Sequence, residues 1–424
     1  MGLNDVLSAD RVHIGFFGMR NAGKSSVVNA VTGQDLSVVS PIAGTTTDSV
    51  KKAMELLPIG PVVIIDTPGL DDEGELGLLR VEAAKKAMAQ INLAVLVADA
   101  TADLREGDRE LLKDFEEKEI PCVLVYNKKD LLENTDSLLS SGNMHKEGSD
   151  VPDKEPVASP GVKTVYTSAL TGEGIHELKE ALGDFARAVP KKENYLVVDL
   201  LNPGDVVILV TPIDESAPKG RMILPQQQVM RELLDYHYFF MTCQETELKD
   251  AIAKLSVKPK MVITDSQVFE KVAKDTPDDV LLTSFSILMS RYKGGLKAQI
   301  LGAKKLSEIK DGDKILISEG CTHHRQCKDI GTVKMPGWIE EYTKAKPVYE
   351  FTSGGDFSED LSDVALVVHC GGCMLNEAQM KSRVLAAKEA GVPMVNYGIA
   401  IAAMHGILKR SLEALPEMQE IIES

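Results

Sequence analysis

The sequence predicts an α/β protein of three domains built on parallel sheets. Three observations point there. Short β-branched apolar runs alternate with helical patterns at a spacing that suits strand–helix–strand units. One such run near the N-terminus, residues 12–17, leads straight into a glycine-rich loop and a helix. Two more, 314–317 and 364–368, lead straight into segments carrying cysteine and histidine. The pattern breaks at Val189-Pro190-Lys191-Lys192-Glu193-Asn194 and resumes twice beyond it, which sets the domains at 1–188, 189–265 and 266–424.

A chain of 424 residues is too long for one ordinary core. Hydrophobic residues make up 44% and charged residues 26%, a composition that folds as globular protein. The net charge of -17 argues against nucleic acid and anionic membranes as partners, since both require a basic surface. The first residues lack the apolar core of a signal peptide, and the longest apolar stretch, near 399–408, is interrupted by His405 and Gly406. Six cysteines in so long a chain do not make a secreted disulfide framework. A cytoplasmic location is the expectation.

The first domain carries the clearest chemistry. After the 12–17 strand come Gly18-Met19-Arg20-Asn21-Ala22-Gly23-Lys24-Ser25-Ser26, a G-x-x-x-x-G-K-S loop between a strand and a helix expected over 26–31. The glycines let backbone N–H groups turn inward around phosphates at a helix N-terminus. Lys24 should reach the β- and γ-phosphates, and Ser25 should ligate Mg²⁺. A second apolar strand, 62–65, ends in Asp66-Thr67-Pro68-Gly69, where Asp66 can hold the Mg²⁺ through water and Gly69 can sense the γ-phosphate. Strands 93–97 and 121–126 follow, the latter leading into Asn127-Lys128-Lys129-Asp130. A carboxylate at Asp130 accepts two N–H bonds from guanine that adenine cannot offer, so the site selects GTP. Ser168-Ala169-Leu170 fits the loop that packs on the base. The polar stretch between 133 and 161 reads as a surface excursion without assigned function.

On these motifs, residues from about 10 to 187 resemble a small Ras-like GTPase of the translation-factor class. Gly44-Thr45-Thr46-Thr47-Asp48 is similar to the switch I signature of GTPases related to the tRNA-modification and Era-type families, which implies Thr46 as a second Mg²⁺ ligand. Lys24, Thr46 and Gly69 would then form the catalytic set. Leu70 stands where Ras-like proteins place a water-orienting Gln, which implies slow hydrolysis. The resemblance also implies that Asn21 helps hold a K⁺ ion that stimulates turnover.

The second domain alternates plainly. Strands are expected at 195–200, 206–210, 239–242 and 261–264, with helices at 225–236 (Val229, Leu233 and Leu234 at helical spacing) and 245–255. It shows no catalytic constellation. Cys243 stands alone, and the aromatic run Tyr236-His237-Tyr238-Phe239-Phe240 fits either an interface or a core. A small module without catalytic groups is a dimerisation candidate.

In the third domain a helix is expected around 268–272 and strands at 281–283, 314–317 and 364–368. A loop over 322–346 carries His324, Cys327 and Trp338, and closing helices are expected over 376–390 and 397–412. Cys321-Thr322-His323 follows one strand and His369-Cys370-Gly371-Gly372-Cys373 another, so Cys321, Cys370 and Cys373 can meet at the carboxyl ends of a sheet. Three thiolates suit an iron–sulfur cluster with one open corner or, closed by a histidine, a zinc ion. Buried or redox-active cysteine without metal is the remaining reading.

The GTPase motifs, the plain α/β middle and the Cys-x-His … His-Cys-x-x-Cys pair together resemble the [FeFe]-hydrogenase maturation GTPases, the HydF family. The resemblance implies a GTP-binding domain over 1–188, a dimerisation domain over 189–265 and a [4Fe-4S] cluster-binding domain over 266–424. It implies a [4Fe-4S] cluster on Cys321, Cys370 and Cys373, with His323 or His369 as fourth ligand or supporting neighbour. It further implies a homodimeric scaffold that takes a di-iron precursor of the hydrogenase active site from two radical-SAM maturases and delivers it to apo-hydrogenase. The competing readings are a tRNA- or ribosome-linked GTPase with a structural zinc domain, and a dithiol redox enzyme.

Overall fold

The computed structural model describes residues 11–34, 50–69, 75–132, 161–188, 195–213, 222–320, 329–354, 357–358 and 360–423. The chain divides into two compact units, Met1–Lys192 and Glu193–Ser424.

The first unit is a six-stranded sheet in the order β2-β3-β1-β4-β5-β6. Its strands are β1 (Val12–Phe17), β2 (Val50–Leu56), β3 (Gly60–Asp66), β4 (Leu93–Asp99), β5 (Cys122–Asn127) and β6 (Val162–Tyr166). All neighbours run parallel except β2, which pairs antiparallel with β3 at the edge. The helices are α1 (Lys24–Thr32), α2 (Glu75–Met88), α3 (Glu106–Glu117) and α4 (Ile175–Ala188). The continuous apolar runs of the central strands are explained by cover on both faces. Ile14, Phe16, Val62, Ile64, Val95, Val97, Val123 and Val125 enter one buried cluster with Val27 of α1 and Leu178 of α4. Their strand neighbours Phe17, Val63, Ile65, Leu96 and Leu124 enter another with Met88 of α2 and Phe115 of α3. Strand periodicity of two thus sorts residues between two cores.

The second unit holds two four-stranded parallel sheets. One, in the order β10-β9-β7-β8, comprises β7 (Val206–Val210), β8 (Phe239–Cys243), β9 (Met261–Thr264) and β10 (Leu281–Ser284). The other, in the order β12-β11-β13-β14, comprises β11 (Lys314–Glu319), β12 (Val348–Ser353), β13 (Val364–His369) and β14 (Met394–Asn396). Between and around them lie α5 (Leu224–Asp235), α6 (Leu248–Lys254), α7 (Phe269–Asp275), α8 (Phe285–Tyr292), α9 (Leu296–Lys305), α10 (Met335–Thr343), α11 (Glu377–Glu389), α12 (Tyr397–Met404), α13 (Leu408–Ser411) and α14 (Pro416–Glu423). One buried cluster contains Ile208, Val262 and Leu282 from the first sheet and Ile315, Ile317, Leu366 and Val368 from the second. Residues 189–265 and 266–424 therefore share a core. The sheet also runs past 265, because β10 pairs with β9 through Leu281↔Met261 to Ser284↔Thr264.

Four local expectations change. Residues 195–200 do not form a strand; a 3-10 turn spans Val198–Leu200 instead. The N–H groups of Leu196, Val197 and Val198 donate to the Glu232 carboxylate (2.8, 2.9 and 3.0 Å), which takes the bonds a strand neighbour would have supplied. In α5, Val229 and Leu233 are buried but Leu234 faces solvent. The loop expected over 322–346 is helical in its described part, with a π-turn at Ile330–Lys334 running into α10 and Trp338 packed on the core. The single helix expected over 397–412 breaks at Gly406, whose φ of 69° is left-handed, so α12 and α13 are separate.

Candidate functional sites

The first unit gathers its polar motifs at the carboxyl ends of β1, β3, β4 and β5. Gly23 opens α1 with φ 86°, and a Cβ there would lie 2.3 Å from Asn127 Nδ2. At Gly18 a Cβ would lie 2.4 Å from the Val97 carbonyl oxygen. Both positions therefore demand glycine, and the loop is drawn tight against β4 and β5. Asn21 is left-handed (φ 67°), a conformation asparagine tolerates.

Asn127 is the fastener of this site. Its Nδ2 donates to the Ala22 carbonyl (3.2 Å), while its Oδ1 accepts from the Ala169 N–H (3.0 Å) and the Thr167 hydroxyl (3.3 Å). Phosphate loop and base loop are thus tied through one buried amide. The Ser168 hydroxyl donates to Asp130 Oδ1 (2.6 Å), fixing the carboxylate expected to read guanine. The Lys128 ammonium donates to Asp99 Oδ2 (2.6 Å). Burial pushes the Asp99 carboxyl up, but bonds from Lys128 and Thr101 more than offset this and hold it below its ordinary value. Asp99 was not singled out in the sequence; its signal was a carboxylate ending the apolar run of β4. The Lys24 ammonium pairs directly with Asp66, both largely buried. Ser25 and Ser26 occupy the first turn of α1, and Gly69 follows β3 with Arg20 Cα 3.4 Å from where its Cβ would be. Thr46, the surrounding 44–48 segment and Leu70 lie outside the described residues.

In the second unit, β11 and β13 are parallel neighbours with Ser318 opposite His369. This register carries the two ligand segments off the sheet side by side. The Cys370 N–H donates to the Ser318 carbonyl (2.9 Å), and the Gly320 N–H donates to Cys370 Sγ (3.0 Å). The Gly372 N–H also donates to Cys370 Sγ (3.3 Å), with Gly372 left-handed at φ 61°. The residue before Cys321 therefore touches the Cys370 sulfur. Cys321 and His323 themselves, with His324 and Cys327, lie outside the described residues. Among the described residues there is no group of three or more His, Cys, Asp or Glu placed to hold a metal ion.

Two amide N–H groups aimed at one sulfur suit a thiolate, and hydrogen bonds of this kind tune cluster sulfurs. Without a metal, burial pushes the Cys370 thiol up to about 11, with Cys373 adding to the rise and the two amides opposing it. Burial likewise raises Cys373, opposed by the Lys293 cation. The donor set is soft and its backbone is wrapped for anionic sulfur, so the residues fit an iron–sulfur or zinc centre.

His369 is fully buried, and both ring nitrogens are engaged. Arg383 has only donors, so Nε2 accepts from its guanidinium (2.8 Å), which leaves Nδ1 to donate to the Cys370 carbonyl (2.6 Å). Burial drives the imidazole down to about 3, with Arg383 adding to the effect. In this arrangement His369 supports the turn and has no nitrogen free for iron. Arg383 also donates to Ser318 Oγ (3.2 Å) and the Gly354 carbonyl (2.6 Å), and lies over the Phe357 ring. Lys293 donates to the carbonyls of Gly372 and Leu375, the latter at 2.5 Å. The Tyr397 hydroxyl donates to buried Glu319 (3.2 Å). Sequence reading missed Lys293, Arg383 and Glu319, because they sit just past a helix end, in mid-helix and at a strand end, where a charge passes for a solvated one.

Three family models match in series. A 50S ribosome-binding GTPase model matches residues 13–128, a hydrogen maturase F dimerization domain 196–294, and a hydrogen maturase F tetramerization domain 297–414. The last two divide between α8 and α9, and between them they take in about half the chain. The chain belongs to the hydrogen maturase F family. Its first unit is a GTPase domain, and its other two domains are the dimerization and tetramerization domains of that family. A tRNA modification GTPase MnmE from Cupriavidus pinatubonensis is 34% identical over 174 residues, 39% of this chain and 35% of that protein. A GTPase Der from Kosmotoga olearia is 35% identical over 180 residues, 41% of this chain and 38% of that protein. The chain thus spans little more than a third of the length of these relatives. Among the described residues no helix is long and apolar enough to cross a membrane.

Proposed function

We propose that this protein is a GTP-controlled scaffold for [FeFe]-hydrogenase maturation. It would hold a [4Fe-4S] cluster on Cys321, Cys370 and Cys373, receive a di-iron precursor as cargo from two radical-SAM maturases, and deliver it to apo-hydrogenase. The observation that carries this reading is the β11–β13 register, which brings the residue before Cys321 against the Cys370 sulfur. The bound cluster would supply an iron corner without a protein thiolate, where a ligand of the cargo can attach. His369 and Arg383 hold the turn from beneath, and the Gly320 and Gly372 amides orient Cys370.

In the GTPase domain, Asn127 and Asp130 receive guanine, and Lys24 and Asp66 separate from each other to meet the phosphates and Mg²⁺. Ser25 and Thr46 complete the Mg²⁺ shell. Turnover is slow because Leu70 replaces the usual Gln, and K⁺ at Asn21 raises it. Nucleotide state acts as a switch on partner contacts through segments 44–48 and 66–75. The protein assembles as a homodimer able to associate further, and works in the cytoplasm.

The test is iron and sulfide analysis with EPR on protein purified anaerobically, beside Cys321→Ser. About four irons and four sulfides per chain, with a reduced signal lost in the variant, support the reading. One zinc without sulfide would overturn it and leave a structural metal module.

A further inference from the structure

Lys128 and Asp99 form an ion pair in the nucleotide site that neither the phosphate loop nor the guanine-reading carboxylate accounts for. Lys128 directly follows β5 and has a left-handed backbone (φ 69°), a conformation that costs a lysine free energy and has to be held by its surroundings. On one side the Lys129 N–H donates to the Thr167 carbonyl (3.0 Å). On the other the Lys128 ammonium donates to Asp99 Oδ2 (2.6 Å), with the two side chains 31% and 20% exposed. Asp99 is itself fixed. Its Oδ1 accepts from the N–H and the hydroxyl of Thr101 (2.9 and 2.7 Å), and its backbone lies opposite Asn127 in the β4–β5 register. The Ala100 N–H donates to the Asn127 carbonyl (2.8 Å), so the two chains stay bonded past the pair. Lys128 therefore runs from a strained backbone position between Asn127 and Asp130 to a carboxylate anchored on the neighbouring strand.

We propose that Asp99 is a positioning residue for guanine-nucleotide binding, holding the Lys128 side chain outstretched so that its apolar stem is in place along the base site before the nucleotide arrives. This rests on the reading that Asn127 and Asp130 receive guanine. A lysine stem is flexible, and ordering it at the moment of binding would cost affinity. Tying its far end to a fixed carboxylate removes that cost in advance. The row of methylenes then offers an apolar surface to the flat face of a purine. The ammonium is met by Asp99 and is not directed at phosphate, so the effect belongs to the base end of the site and is the same for GTP and GDP. Asp99 touches no reacting atom in this role and acts through Lys128.

Nucleotide binding and hydrolysis by the full-length protein test this, comparing the native chain with Asp99→Asn, Lys128→Met and the two changes combined. Asparagine keeps an oxygen for Thr101 but offers Lys128 no anion, so Asp99→Asn isolates the ion pair. It should weaken GTP and GDP alike by about tenfold in titration calorimetry, the partial exposure of the pair keeping the loss below that of a fully buried charge. KM for GTP should rise by the same factor while kcat at saturating GTP keeps its native value. In the Lys128→Met background Asp99→Asn should add nothing, because no ammonium is left for it to hold. Native affinity in Asp99→Asn overturns the proposal. So does a loss that adds in full to that of Lys128→Met, which would make Asp99 a strut of the Thr101 turn, or a fall in kcat with KM unchanged, which would place its effect at the phosphates. Loss of folding in Asp99→Asn, read by circular dichroism, would make the pair structural and overturns it too. A native protein that binds ATP as tightly as GTP is a different result, which refutes the guanine reading itself.

Discussion

At the scale of single residues, the two units bury ionisable side chains in different ways, and each way has a measurable signature. His13 sits in the middle of the GTPase sheet, with its N–H donating to Asn92 Oδ1 (2.9 Å) and Nδ1 against the Arg11 carbonyl (2.9 Å). Burial holds its pKa below the ordinary 6.5; the Arg11 bond opposes this and the Lys51 charge assists it. In the unfolded chain His13 takes a proton as pH falls through 6.5, while the folded form resists. The unfolded state then binds more protons, so stability falls as the solution is acidified, by at most about 1.4 kcal/mol per pH unit. His13→Gln should flatten this dependence between pH 7.5 and 5.5 in urea unfolding of the GTPase domain; equal slopes would show that His13 is not the titrating group. Arg383 is the opposite case, a permanent charge satisfied on several sides. Arg383→Met leaves His369 Nε2 and the Gly354 carbonyl without a donor they now have, and should cost the second unit about 3–5 kcal/mol. Arg383→Lys should recover only part of that, because an ammonium cannot reproduce the planar fork. A loss under about 1 kcal/mol in the Met variant would mean that water or a rearranged turn replaces the guanidinium.

At the scale of elements, the phosphate loop was legible in the sequence because its chemistry is local. A strand, a fixed glycine spacing and a helix follow one another within twenty residues, and in the structure Gly18–Gly23 do lie between β1 and α1. The role of Asn127 as a tie between the two nucleotide loops was not legible, since its bonds to Ala22 and Ala169 cross long stretches of chain. Gly23→Ala tests that tie. The new methyl would meet Asn127 Nδ2 at 2.3 Å and would also have to adopt φ 86°. GTP affinity should fall at least about 100-fold by titration calorimetry, while the circular dichroism of the domain is kept. Affinity within about tenfold would mean that Asn127 swings away without cost. The elements misread were those whose partners lie far off in sequence. Residues 195–200 have a strand's composition but spend their N–H groups on Glu232. Strand β2 went unread for a different reason, since its partner β3 follows it at once: it is an edge strand with one neighbour, and its residues are mostly exposed. The cysteine turn was half legible: the motif and its strands stood out, whereas Lys293 and Arg383 reach it from outside the motif, one just past α8 and the other within α11.

For the molecule as a whole, the division into units predicts how stability responds to ligands. The GTPase domain has its own two cores, and the dimerization and tetramerization domains share a third through Ile208, Val262, Ile317 and Val368. That common core could not be inferred from the sequence, where each sheet repeats the same strand–helix alternation and looks complete by itself. A ligand that binds only the native form of one unit stabilises that unit, by about 2.7 kcal/mol at a hundred times its Kd. For a unit of this size each kcal/mol raises the midpoint by about 2–4 °C. Calorimetry of the full chain should therefore show two transitions rather than three, one for Met1–Lys192 and one for Glu193–Ser424. Saturating GTP with Mg²⁺ should move the first upward by about 5–10 °C and leave the second in place. On the proposed cluster reading, removal of the iron should lower the second alone. Three transitions would separate the dimerization and tetramerization domains despite their shared core. A second transition that followed the nucleotide would mean that GTP energy already reaches the cysteine turn at equilibrium, without a partner protein to carry it.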